Sequence, residues 1–119
     1  MADVRQIEPA AGIVLKKNNT VIYTQRFNPD PSTYTEQSGQ TLVVGTASST
    51  TVSQGTISTV RNLILQSSKA VTIIFDGGSD EISMTAGGLL FMAATSLSAV
   101  KVKNASVTDD AEVEYMLTD

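Results

Sequence analysis

The chain has 119 residues, 41% of them hydrophobic and 17% charged, with a formal net charge of -4 and neither cysteine nor histidine. That length supports one domain around one core. Without His or Cys, the usual base at neutral pH, Ser-His and Cys-His nucleophile systems, disulfides and the common zinc sites are all excluded.

The eight Lys and Arg residues are scattered from Arg5 to Lys103 and form no basic stripe, so binding of nucleic acid by phosphate neutralisation is not expected. Mean hydropathy is +0.05, and no apolar run approaches the ~18 residues of a membrane span. Met1 to Arg5 lacks a charged start followed by an apolar stretch, so no cleaved leader is expected, and the missing cysteine fits a reducing cytosol. Thirteen Ser and fifteen Thr provide most of the polar surface, neutral and suited to tiling against other protein surfaces.

Residues 1–12, with Pro9 and Gly12, read as an irregular arm. Ile13-Val14-Leu15 and Val21-Ile22-Tyr23 flank Asn18-Asn19, a dipeptide that tolerates positive φ, so a hairpin is predicted with Leu15 opposite Ile22. Residues 28–40 contain Pro29 and Pro31, which forbid a central strand, and read as a loop that is functional or draped over a neighbour. The arm, the first hairpin and this loop make up residues 1–40; residues 41–119 carry the core of a single domain.

Within the core region Leu42-Val43-Val44 is a short strand, and residues 45–56 are a weak strand or a loop. Val60, Leu63 and Leu65 anchor the next strand. Val71, Ile73 and Phe75 alternate, as do Ile82 and Met84, and pairing Phe75 with Ile82 leaves Gly77–Asp80 as a hairpin tip. Leu89-Leu90-Phe91-Met92 is continuously apolar, which suggests a strand buried on both faces; the spacing of Leu89, Met92, Ala93 and Leu97 also permits a helix, but Gly87-Gly88 and the β-rich text after it favour strand. Val100-Lys-Val-Lys103 and Glu112-Val-Glu-Tyr115 mirror each other: paired antiparallel, Lys103 meets Glu112 and Lys101 meets Glu114 on one face, while Val102 meets Val113 and Val100 meets Tyr115 on the other. Eight or so short strands at this spacing imply an all-β antiparallel sandwich, jelly-roll-like, with an irregular N-terminal arm.

Candidate sites are few. Asp76, Asp80 and Glu81 cluster at the Gly77-Gly78 tip, where Asp76 would face Glu81; a Ca²⁺ site built on them competes with a plain solvated turn, and the spacing does not follow an EF-hand loop. Asp109-Asp110 reads as another wet turn. Gly77-Gly78 and Gly87-Gly88 precede no helix and lysine that would make a phosphate cradle. Phe75, Phe91 and Tyr115 fall on predicted inner faces; Tyr34 in the proline loop is the candidate contact to a partner or glycan, weighed against a ring that simply covers the edge of the core. No catalytic residue, cofactor or resident metal is assigned, and the chain is read as a non-enzyme.

Ala70-Val-Thr-Ile-Ile-Phe-Asp-Gly-Gly78, Met84-Thr-Ala-Gly-Gly-Leu-Leu90, Val100-Lys-Val-Lys-Asn-Ala-Ser106 and Glu112-Val-Glu-Tyr-Met-Leu117 together give residues 41–119 a pattern that resembles small β-sandwich virion proteins of tailed bacteriophages. The resemblance implies a structural subunit made in the host cytoplasm and carried on the virion: a capsid decoration or cement protein, or a tail or neck accessory. It also implies partners, namely copies of itself in a closed set of two or three and a neighbour such as the major capsid protein. A ligand- or glycan-binding β-sandwich module is the alternative.

Overall fold

In this computed structural model, residues 5–8, 10–27, 32–78, 80–93 and 95–119 are described. The proline-loop expectations at residues 28–31, and Ser79 of the predicted tip, lie outside them. The described residues contain no helix; all pairings among their twelve strands are antiparallel.

The chain divides into two compact units, residues 1–34 and 35–119. In the first, β1 (Gln6–Ile7) pairs with β4 (Ser32–Thr33), and β2 (Ala11–Lys17) pairs with β3 (Thr20–Phe27). Asn18 and Asn19 turn the β2–β3 hairpin at φ 50 and 65, both left-handed, the conformation that matches the right-handed twist of the flanking strands. The predicted partner of Leu15 is corrected: Leu15 faces Tyr23 and Lys16 faces Val21, because a bulge at this point takes Ile22 out of the one-to-one ladder.

The second unit contains β5 (Gln37–Val44), β6 (Ser48–Thr51), β7 (Asn62–Ser67), β8 (Val71–Phe75), β9 (Asp80–Met84), β10 (Leu89–Met92), β11 (Val100–Asn104) and β12 (Ala111–Thr118). They form two four-stranded sheets, in the orders β10-β7-β12-β5 and β6-β11-β8-β9. Pairing is nested: β8 with β9, β7 with β10, β6 with β11 and β5 with β12. Both sheets send alternate side chains into one buried cluster, with Val44, Leu63, Leu65, Val113 and Leu117 from the first and Ile73, Val100 and Val102 from the second.

Nesting overturns the predicted C-terminal hairpin. The faces are as read, with Val100, Val102, Val113 and Tyr115 buried and Lys101, Lys103, Glu112 and Glu114 exposed. The partners differ: β11 and β12 lie in different sheets, so Lys103 faces Ser49 and Thr72 while Glu112 faces Val43. Period-two alternation fixes which side of a strand is dry, and many strands satisfy it equally well as neighbours. The β8–β9 hairpin forms with its register moved by two residues, Phe75 to Asp80 and Ile73 to Ile82, because Asp76, Gly77 and Gly78 all take positive φ and begin the turn earlier. A shift of two keeps every side chain on its face, but it removes the expected Asp76–Glu81 opposition; Glu81 faces Ile74.

Two further corrections follow from the sheet order. Residues 37–40 are not loop: they open β5, which runs along the whole of β12. Leu89–Met92 is a strand, as favoured, but it lies at a sheet edge and is not covered on both faces; Leu89 is 61% exposed and Phe91 is half-buried and absent from the core cluster, whereas Leu90 and Met92 pack against it.

Candidate functional site

Asp76 lies at the end of β8, exposed, at φ 49. Its Oδ1 accepts hydrogen bonds from the Ser98 amide at 2.6 Å, the Ser98 hydroxyl at 2.9 Å and the Ala99 amide at 3.2 Å. The Ser98 amide, then the Ser98 hydroxyl and the Ala99 amide, hold its carboxyl below the ordinary value of 3.8. The carboxylate thus ties the β8–β9 turn to the segment that enters β11. Asp80 and Glu81 are exposed on β9, and among the described residues no three acidic side chains gather in a metal-binding geometry. Of the predicted trio, only Asp76 is engaged by the fold.

Tyr34 is half-buried, and its amide donates to the Arg5 carbonyl at 3.1 Å, which extends the β1–β4 pairing by one residue. Phe75 and Tyr115 are core as predicted; the Tyr115 hydroxyl donates to the Ser53 carbonyl at 3.4 Å.

Sequence reasoning missed two polar anchors. Asn104 is fully buried and its amide donates to the carbonyls of Val44 at 3.2 Å, Gly45 at 3.3 Å and Asp109 at 2.8 Å, while its Oδ1 accepts from the Ser106 amide at 3.0 Å. It therefore staples two places where the chain crosses between sheets, after β5 and after β11. Asp119 closes the end of β12: its carboxylate accepts from the Thr35 hydroxyl and from the Thr35 and Glu36 amides at 2.8 and 3.1 Å, and these bonds, the Thr35 hydroxyl foremost, lower its pKa.

The outer face of the β10-β7-β12-β5 sheet exposes Val43, Leu89 and Met116. Phe91, Ile64 and Met116 stand side by side across three strands, and the adjoining row is Leu89, Gln66, Glu114 and Thr41. A shallow depression of about 250 Å³ runs among Ile64, Gln66, Leu89, Glu114 and Met116; a second, about 210 Å³, lies beside Glu112 and Glu114. At the far strand the row ends on Gly39, where a Cβ would come within 2.8 Å of the Tyr115 carbonyl oxygen, so only glycine lets β5 approach β12 this closely. The four strands carry no Lys or Arg, and their exposed charges are Glu112 and Glu114. The opposite sheet displays Lys101 and Lys103 among Ser and Thr, with exposed Asp80 and Glu81 on its edge strand β9, where Glu81 lies in the cross-strand row of Ile74 and Lys101. A local signal for the apolar face was available: Ile64 sits between Leu63 and Leu65, Met116 between Tyr115 and Leu117, and in each triplet alternation sends the middle residue outward.

Against known proteins the chain matches no family model, no curated protein and no solved structure.

Proposed function

We propose that the chain is a non-enzymatic structural subunit of a phage particle, most simply a decoration or cement protein that binds neighbouring subunits of the capsid, with a tail or neck position as the alternative. Residues 35–119 are read as a jelly-roll sandwich. The observation that carries this reading is the nested pairing of β5 with β12, β6 with β11, β7 with β10 and β8 with β9. One long hairpin rolled up so that successive pairs alternate between two sheets gives this order, and viral capsid domains are among the proteins that use it. The architecture is shared with lectins, so it supports the class of scaffold and the sequence resemblance supports the role.

A face of exposed apolar side chains rimmed by carboxylates suits a subunit that works by being covered. The partners proposed are further copies of the chain and a shell protein. The reading is tested on purified particles and by co-sedimentation of the purified protein with assembled shells. A fixed copy number in the particle and saturable binding to shells are expected; absence from particles together with no binding to shells or tails overturns it.

A further inference from the structure

Each four-stranded sheet of the second unit ends in two strands that pair on one side only among the described residues: β10 and β5 in one sheet, β6 and β9 in the other. An edge strand leaves the N–H and C=O of every second residue without a ladder partner, and proteins protect such edges with charge, proline, bulges or short length. Three of the four edges are protected. β6 and β10 have four residues each, and β9 has five and carries Asp80 and Glu81. β5 has none of these devices: its eight residues, Gln37–Val44, contain no charge and no proline, and they pair with β12 one to one without a bulge.

The outer face shows what fits beside β5. Phe91, Ile64, Met116 and Gly39 form one cross-strand row over the four strands. The row stops at Gly39, where a Cβ would lie 2.8 Å from the Tyr115 carbonyl oxygen and 3.3 Å from the Met116 Cβ, so β5 places no side chain over Met116, which is 43% exposed. Four residues on, Val43 projects from the same face of β5, 55% exposed, beside Glu112. A neighbouring strand that brought an apolar side chain opposite Gly39 would continue the row across the glycine gap. A second β5 does so. About a two-fold axis normal to the sheet at Thr41, Thr41 meets its own counterpart and Gly39 of each copy lies opposite Val43 of the other. Thr–Thr is a favourable cross-strand pair, and the uncharged strand opposes no like charges. The chain's own strands do not fill this edge: among the described residues β1 pairs with β4, β2 with β3, and β5 with β12 alone.

We propose that β5 pairs antiparallel with β5 of a second copy about a two-fold axis at Thr41. The pairing joins the two β10-β7-β12-β5 sheets into one sheet of eight strands, with Val43 of each copy packed over Gly39 against Met116 of the other. An edge that pairs with itself presents the same surface from both sides and closes at two copies. The inference rests on the self-associating reading above and names its edge, register and copy number.

The contact is small, below the ~1,200 Å² of standard interfaces, so the test is sedimentation velocity of the full chain over concentrations reaching the millimolar range. A monomer–dimer equilibrium is expected. Thr41→Lys alone and Thr41→Glu alone, each checked for native circular dichroism, set like charges against each other on the axis and are expected to weaken dimerisation about tenfold or more, while an equimolar mixture of the two regains it. Because the chain has no cysteine, Thr41→Cys should yield a disulfide-linked dimer under mild oxidation, and Glu112→Cys, on the same face but away from the axis, should not. Unchanged dimerisation of both charged variants, a mixture that does not regain it, or crosslinking of Glu112→Cys as fast as Thr41→Cys overturns the two-fold pairing while leaving self-association through another surface standing. A wild type that stays monomeric throughout overturns both; shell binding is measured independently, and its loss in Thr41→Lys then assigns the edge to a strand of the shell protein.

Discussion

Asn104 shows how one buried amide can decide a chain crossing. Three carbonyls accept from its side chain and one amide donates to it, at a site with no solvent to replace it. Asn104→Leu keeps the volume but strands those groups, and the expected loss is about 3 kcal/mol, read as a lower denaturation midpoint with an unchanged slope. Asp76 acts at the surface through protonation. Its carboxyl is held below 3.8 by the Ser98 and Ala99 donors, so its contribution is present above that value and is lost as pH falls through the lower folded value. Acid unfolding curves of the wild type and Asp76→Asn should therefore differ above pH 3.8 and draw together as pH falls from there through the lower folded value, with Asp119 responsible for acid sensitivity that remains in the variant. Neither role was legible in the sequence. Asp76 looked like half of a like-charged pair, because its donors lie twenty-two residues away and were brought to it by the fold.

Strand faces were legible and strand partners were not. Val100-Lys-Val-Lys and Glu-Val-Glu-Tyr115 each announce a wet and a dry side, and both sides are as read. Yet the mirrored charges that suggested a hairpin lie in different sheets, with Lys103 opposite Ser49 and Thr72. A double-mutant cycle on Lys103→Ala and Glu112→Ala should accordingly be additive within about 0.5 kcal/mol, whereas a true cross-strand ion pair would couple the two beyond that. The β8–β9 register slipped by two for a related reason: the sequence marked Gly77-Gly78 as the tip, but the left-handed backbone at Asp76 moved the turn back toward β8. Leu89–Met92 erred in the other direction. Four apolar residues in a row were read as a doubly buried strand, when two of them, Leu89 and Phe91, face outward from a sheet edge.

Across the whole molecule, charge and apolar exposure are distributed as if for partners: a cationic ribbon in residues 11–27, an anionic body in residues 35–119 and one sheet face without a cation. Composition excluded imidazole and thiol chemistry, and residue pattern indicated the all-β class and the sidedness of β7, β8, β11 and β12, because alternation and residue type are local properties that each strand carries by itself. Which strands became neighbours, where each turn began and which apolar side chains were left outside were decided only in three dimensions. Backbone ladders are blind to sequence, and the choice among equivalent partners fell to the nested path of the chain and to the buried polar staples that hold its crossings.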